Sequence, residues 1–156
     1  MTSTLTAATM TVTLTESIEL NGTNQGATNT LEIASIAEVS KRIVNIPTSE
    51  VVVLAMHDSA VAAGQHIETT VMYIRLTNKD DTNHITLTFK DEDNTEVALL
   101  LDKGQSFIYN GDLAGGVVNT MHAGGSALTV SLNDLVNITA LADTAACDLE
   151  IFVAST

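Results

Sequence analysis

The sequence predicts an all-β protein, and within that class a two-sheet antiparallel β-sandwich of jelly-roll type. Ile85, Leu87 and Phe89 alternate with threonine, histidine and lysine, the period of two expected of a strand with one buried face. Turn-forming sequences such as Asp102-Lys103-Gly104 interrupt these runs at intervals of about ten residues. No stretch has the pattern of a long helix. An immunoglobulin-like sandwich, the alternative, lacks the Cys…Trp…Cys pattern because tryptophan is absent.

The first third of the chain is predicted to contain one long strand followed by short ones. Met10–Leu20 alternates apolar and polar residues, with Glu16 as an exception that indicates a bulge or a crossing to the second sheet. Asn21–Asn29 is rich in asparagine and glycine and begins with Asn21-Gly22, so we expect a loop there. The short β-branched strands predicted next are Leu31–Ile36, Val39–Ile46 and Val51–Met56.

The remainder is predicted to be a meander with one long excursion. His57–Gln65 is expected to be a surface loop, and Ile67–Thr77 a strand. Asn110–Ala127 is too rich in glycine for a helix, and excursions of this length are often functional or interfacial. The last predicted strands are Leu128–Leu132, Val136–Leu141 and Cys147–Val153. We expect residues 1–9 to form a flexible N-terminal segment and residues 10–156 a single sandwich domain.

The composition narrows the class of function. The net charge is −13, with 19 acidic against six basic side chains, which disfavours direct binding of nucleic acid. Aromatic residues make up only 3%, so the core must be aliphatic and little surface is available to stack on sugar rings. A single cysteine, Cys147, rules out an intrachain disulfide and is expected to be a small buried residue. No apolar run approaches the ~20 residues of a membrane-spanning helix, so no membrane partner is expected.

Two groups of residues have side chains of the kinds that bind metal ions. The acidic turns Asp80-Asp81 and Asp91-Glu92-Asp93 resemble calcium ligands. They lie at opposite ends of one predicted strand, about 25 Å apart at ~3.3 Å per residue, and are better explained as solvated turns. His57 and His66 flank one loop and, with Asp58, leave open a metal site assembled in space, although no H-x-H or HExxH pattern supports it. We predict no metal and no cofactor.

Motifs for covalent chemistry are incomplete. Gly124-Gly125-Ser126-Ala127-Leu128 departs from G-x-S-x-G at its last position, and consecutive His57-Asp58-Ser59 side chains cannot generally converge as a triad. The Gly-Gly pairs of the excursion precede no helix and no lysine, so they do not indicate a phosphate loop. We therefore predict no catalytic residue.

Four segments resemble the small all-β virion structural proteins of tailed bacteriophages. They are TVTLTESIELNG (Thr11–Gly22), VMYIRLTNKDDTNHITLTF (Val71–Phe89), LLDKGQSFIYN (Leu100–Asn110) and CDLEIFVAST (Cys147–Thr156). The resemblance implies a capsid decoration or cement protein on the outer surface of the head, or a neck or tail attachment, located in the virion and made in the host cytoplasm. The resemblance implies no site residue in this chain, because this group of proteins has no defined site motif.

The function expected from the sequence is that of a non-enzymatic capsid decoration protein that forms homo-oligomers and binds the major capsid protein or other virion proteins. A neck or tail adaptor is the alternative within this class, and a carbohydrate-binding β-sandwich module is the alternative outside it. The candidate interface residues are the larger apolar side chains of the glycine-rich excursion, Leu113, Val117, Val118 and Met121. Replacing Val117 and Val118 together by Asp is expected to leave the sandwich folded and abolish assembly.

Overall fold

The computed structural model describes residues 5–60, 62–111, 113, 116, 117 and 134–156, which contain strands β1 to β13 and no helix. The strands of the first half are β1 (Ala8–Thr15), β2 (Glu19–Leu20), β3 (Thr23–Asn24), β4 (Thr28–Ile36), β5 (Glu38–Ile46), β6 (Val51–His57) and β7 (His66–Ile67). Those of the second half are β8 (Val71–Asn78), β9 (Ile85–Asp91), β10 (Glu96–Leu101), β11 (Ser106–Asn110), β12 (Leu135–Ala142) and β13 (Cys147–Ser155).

Two antiparallel sheets form the body of the molecule. The front sheet has the order β11-β8-β13-β5, and the back sheet has the order β10-β9-β12-β6, to which the short β7 adds in parallel beside β6. From β5 onward, successive strands alternate between the sheets except at β6–β7 and β9–β10, and the last strand, β13, lies between β5 and β8. This order is that of a jelly roll. The predicted antiparallel β-sandwich of jelly-roll type is confirmed, with the β6–β7 pair as its parallel exception.

The core lies between the two sheets and is mainly aliphatic, as the composition predicted. On β9 the burial alternates residue by residue, because Ile85, Leu87 and Phe89 point inward. β8 and β13 lie in the centre of the front sheet and are buried on nearly every residue. The main ring contacts join Phe89 to Phe107 and Tyr109, with centroids 5.2 and 5.7 Å apart. Cys147 is fully buried at the start of β13, as expected.

The predicted strand Met10–Leu20 is wrong in its second half. β1 ends at Thr15, and the backbone N–H of Glu16 donates to the carbonyl of Ala27 at 2.8 Å. Glu16 therefore marks neither a bulge in a core strand nor a crossing between the sheets, because the chain continues into a hairpin whose strands, among the described residues, pair only with one another. Asn21 and Gly22 have φ of 51° and 77°, the positive values of a tight hairpin turn. The predicted turn is confirmed, whereas the predicted loop Asn21–Asn29 includes β3 and the start of β4.

Other predicted boundaries differ in smaller ways. β1 begins at Ala8, so residues 8 and 9 belong to a strand rather than to the predicted flexible segment. The predicted strand Ile67–Thr77 is interrupted after β7, where the N–H of Thr70 donates to the carbonyl of Ile67. The predicted strands Val136–Leu141 and Cys147–Val153 are confirmed as parts of β12 and β13, and Leu128–Leu132 lies outside the described residues. Within the described ranges, no helix is long and apolar enough to cross a membrane.

Candidate interaction surface

A β-hairpin that lies outside both sheets is the most distinctive feature of the surface. β1 and β4 pair antiparallel, with Val12 opposite Leu31 and Met10 opposite Ile33, and β2 and β3 continue the ribbon to its tip. These pairs place the apolar side chains on one face and the threonines on the other. We call residues 8–36 the hairpin arm. Sequence analysis missed it, although the Asn21-Gly22 turn between two alternating runs is a hairpin signal.

The base of the hairpin arm is packed on the outer face of the front sheet. Ile33 and Ile36 are buried in a second apolar cluster that includes Tyr73 of β8 and Ala154 of β13. The backbone N–H of Ala37 donates to the carbonyl of Ser155 at 2.9 Å, which joins the end of the arm to the edge of the cluster. The base is thus held by burial of apolar surface.

The distal part of the hairpin arm has little contact with the body. Every residue from 13 to 30 is exposed except Gly26, which is half-buried. The exposed residues include three large apolar side chains, Leu14 (50% exposed), Ile18 (50%) and Leu20 (55%). An isolated two-stranded hairpin is only marginally stable in water. The distal arm is therefore an exposed apolar ribbon with few contacts of its own to hold it in place.

A groove runs along each side of the arm where it crosses the front sheet. One has a volume of about 380 Å³, and its floor is formed by Arg75, Ile108 and Phe152 beside the edge of β1. The other, about 330 Å³, lies between the underside of the arm at Leu31 and residues Ile108 and Asn110 of β11. Both grooves are open and shallow. Their shape suits another polypeptide segment better than an enclosed small molecule.

Charged side chains form one network on the same outer face. The guanidinium of Arg75 donates to Glu150 Oε1 at 2.7 Å, and Lys41 Nζ lies 3.3 Å from Glu150 Oε2. The hydrogen bond from Arg75 is the main cause that lowers the pKa of the Glu150 carboxyl, and Lys41 adds to it. Because the pKa of Glu150 is lower in the folded state, this network stabilises the fold at pH values above the ordinary carboxyl pKa. The stabilisation is lost as the pH falls through the folded-state pKa. Lys41 and Arg75 both keep part of their surface exposed.

Acidic side chains gather around Glu68, in the segment between β7 and β8. Burial is the main cause that raises the pKa of Glu68, followed by the negative charges of Asp134 and Asp58, a hydrogen bond with Asp134, and the charge of Glu92. The backbone carbonyl of Glu68 also accepts a hydrogen bond from the N–H of Val117. The folded state therefore binds a proton at Glu68 more tightly than the unfolded chain does. Stability contributed by this group is present below the ordinary carboxyl pKa and is lost as the pH rises through the folded-state pKa.

We expect Glu68→Gln to raise the thermal midpoint at pH 7, because the amide replaces a carboxylate that burial and its acidic neighbours destabilise. Thermal melts followed by circular dichroism from pH 4 to pH 8 would measure the difference from wild type, which should shrink toward acid pH. Glu16→Gln, on the exposed distal arm, is the matched control and should leave the midpoint nearly unchanged. A Glu68→Gln protein that melts below wild type at pH 7 would show that the carboxylate is stabilising.

The four interface residues predicted from the sequence do not share one environment. Leu113 is exposed at 60%, in agreement with a surface role. Val117 is fully buried and belongs to the core of the sandwich, so its assignment to an exterior interface is wrong. The preceding residue, Gly116, fixes the position of Val117. Its φ is 73°, and a Cβ at Gly116 would clash with the carbonyl oxygen of Glu68. Val118 and Met121 lie outside the described residues, and the assembly role of the excursion stays a prediction.

The acidic turns use their carboxylates to hold the backbone. Asp80 Oδ1 accepts hydrogen bonds from the N–H groups of Thr82 and Asn83, and these bonds lower the pKa of Asp80. Asp91 is buried and accepts from the N–H of Thr95 at 2.6 Å. Such bonds are typical of turns that begin with aspartate.

The histidines that flank the predicted loop lie near one another. Gln65 Nε2 is 3.5 Å from His57 Nε2, and burial followed by the charge of Arg42 lowers the pKa of His66. Among the residues that the structure describes, no group of three His, Cys, Asp or Glu side chains is placed to hold a metal ion.

Comparisons with known proteins add little. No protein-family model matches the sequence, and no curated protein matches it. One solved chain, from a structure described as "Bacillus endospore appendages form a novel family of disulfide-linked pili", is similar over 76% of this chain and 87% of that chain. The identity is 12% and the TM-score is 0.42, and no conclusion about function is drawn from this likeness.

Proposed function

We propose that this chain is a non-enzymatic structural protein that acts by binding other protein subunits, and that it serves as a capsid decoration protein on the head of a tailed phage. The observation that carries the proposal is the hairpin arm, whose distal part exposes Leu14, Ile18 and Leu20. Exposed apolar groups on a projecting element are typical of interaction sites. The place of binding, the head, comes from the resemblance of the sequence to virion proteins.

Three further features support a role in assembly rather than in binding small molecules. The open grooves beside the arm have strand edges and apolar side chains as walls, which favours a peptide partner. The jelly-roll body is built around a large aliphatic core and offers a rigid platform for the arm. The excess of acidic side chains keeps free subunits soluble before they bind.

Binding to phage heads with a shortened arm tests the proposal. Glu16 and Ala27 form a hydrogen-bonded pair, and such pairs alternate along an antiparallel ribbon, so Leu14 and Asn29 form the next one. An Asn-Gly turn can therefore join Leu14 to Asn29 in place of residues 15–28. This variant keeps the packed base of the arm. We expect it to fold with an unchanged thermal midpoint and to lose most of its binding to expanded heads in a co-sedimentation assay.

The same assay separates the alternatives. Wild-type protein that binds isolated necks or tails but not heads would favour the adaptor function. Binding to immobilised glycans and not to phage particles would overturn the proposal in favour of a carbohydrate-binding module. A shortened-arm variant that binds heads as well as wild type would show that the arm is not the binding element.

A further inference from the structure

Within the part of the chain that the structure describes, β11 is an edge strand of the front sheet, and one side of its backbone pairs with no other strand. The N–H of Asn78 donates to the carbonyl of Gln105, and the N–H of Gly111 donates to the carbonyl of Met72, each at 3.0 Å. Because hydrogen-bonding direction alternates along an antiparallel strand, odd-numbered residues of β11 face β8. The N–H and C=O groups of Ser106, Ile108 and Asn110 therefore point away from the sheet, and all three residues are exposed.

The sequence of β11 lacks the charges and prolines by which natural edge strands prevent pairing with another strand. Ser106–Asn110 contains no charge and no proline, and its register with β8 is regular. At the other edge of the front sheet, β5 carries Lys41 and Arg42. In the back sheet, β10 begins with the charged Glu96 and β7 has only two residues. On a molecule with a net charge of −13, the uncharged β11 is the sheet edge at which two copies can approach with least repulsion.

The hairpin arm crosses the front sheet toward this same edge. Its base packs on Ala154 of β13 and Tyr73 of β8, and farther along its underside forms a groove with Ile108 and Asn110 of β11. Residues 15–28, which line neither groove, come after this crossing, so they extend beyond β11. A strand added to the edge of β11 would lie beneath the arm.

We propose that β11 pairs antiparallel with β11 of a second copy about a twofold axis at Ile108, and that the hairpin arm of each copy closes over the front sheet of the other. Ser106 would then face Asn110 of the partner subunit, and Ile108 would face Ile108 of the partner subunit. All the outward backbone groups of both strands become paired, with on the order of six hydrogen bonds. The contact is isologous, as in most symmetric dimers.

The register of the front sheet specifies what each arm would meet. Asn110, Tyr73 and Ala154 form the row beneath the base of the arm, whereas Ser106, Thr77 and Glu150 form a row two steps away. The twofold axis aligns the first row of one copy with the second row of the other. Each arm would thus lie over the Thr77 and Glu150 row of its partner, beside the row that holds Arg75 and Lys41.

The charges and distances of the arm fit this surface. Glu16 and Glu19 are the charged residues of its distal part, which has no basic residue. Leu14 is the last residue of β1 that lines a groove with Ile108 of β11, and Glu16 extends about 7 Å beyond it at ~3.3 Å per residue. That distance reaches the first or second strand of the partner at ~4.8 Å per strand, near Arg75 of the partner subunit. Glu19 extends about 17 Å beyond Leu14, toward Lys41 of the partner subunit on the fourth strand.

This inference deepens the proposed function by naming a second copy as the partner of the arm, and it is testable without any virion. The mass of the purified chain would be measured by size-exclusion chromatography with light scattering at micromolar concentration. We expect a dimer for wild type and a monomer for Ile108→Pro, because proline removes only an N–H that points away from β8. Ala98→Pro is the matched control on the edge of β10, where the same alternation directs its N–H outward, and it should stay dimeric.

A cysteine pair provides a second measurement that does not depend on tolerance of proline. In the proposed dimer the two Ile108 Cα atoms lie about 5.5 Å apart, within the range of a disulfide. Ile108→Cys should give a covalent dimer on mild oxidation, and Leu100→Cys, at an outward position of β10, should not. A monomeric wild type, a dimer unaffected by Ile108→Pro, or equal cross-linking of both cysteine variants would overturn the inference. A monomer that still binds heads would leave the proposed function intact.

Discussion

Val117→Asp is expected to unfold the protein or to lower its free energy of unfolding by several kcal/mol, since it places an unpaired carboxylate in the core. Val117 has no exposed surface and contributes to the main core cluster. Its N–H donates to the carbonyl of Glu68 at 2.8 Å, and its carbonyl accepts from the N–H of Leu135 at 3.4 Å. A charge here would also lie near Glu68, whose pKa is already raised by burial and by its acidic neighbours.

Leu113→Asp is the matched control for this prediction. Leu113 comes from the same segment but is 60% exposed, so the same substitution should change stability by no more than about 0.5 kcal/mol. Urea unfolding followed by circular dichroism would compare the two variants. A Val117→Asp protein as stable as wild type would return this residue to the surface, where sequence analysis had placed it. The expected loss of stability for Val117→Asp would show that the double substitution of Val117 and Val118 tests folding rather than assembly.

Ile74→Ala is expected to lower the free energy of unfolding by about 2–5 kcal/mol, because it leaves a cavity at the centre of the front sheet. Ile74 is fully buried on β8, where it lies between Val153 of β13 and Tyr109 of β11 in register. β11 and β13, which flank Ile74, also pack against the core, so their side chains have little freedom to fill the cavity that the substitution leaves.

Ile43→Ala on β5 is the control for the cavity, since Ile43 has the same side chain and is 59% exposed. Chemical unfolding should show a difference below about 1 kcal/mol for Ile43→Ala. Equal destabilisation by the two variants would contradict the assignment of Ile74 to the core and of Ile43 to the surface. At the micromolar concentrations used to measure the proposed dimer, Ile43→Ala also changes the outer face of the front sheet without disturbing the core.

Local patterns were enough to predict the class of fold and much of its detail. The alternation in Ile85–Lys90 gave a correct strand with a correct buried face, because the period of side-chain direction in a strand is set by the backbone alone. The shortage of aromatic residues predicted an aliphatic core, and Asn21-Gly22 predicted a turn whose positive φ angles the structure contains. Each of these properties depends on residues close together in the chain.

Contacts between residues distant in the sequence decided which strands pair and which side chains are covered. β1 alternates as clearly as β9, but only its beginning is covered by the front sheet, and the side chain of Leu14 is left exposed. No local pattern distinguishes a strand that enters a sheet from one that leaves it as a hairpin, because the difference lies in which distant strand supplies the neighbouring edge.

The sequence by itself determined where most strands and turns occur, the aliphatic nature of the core and the excess of acidic side chains. Tertiary structure alone decided that Val117 lies inside, since its burial depends on Glu68 and Leu135, which belong to different parts of the fold. It also decided that β11 lies at an edge of the front sheet beneath the hairpin arm, a juxtaposition of segments far apart in the chain. Strand formation is governed by local backbone geometry, whereas burial and exposure depend on non-local packing, and for this reason the candidate interaction surface was found only in the folded molecule.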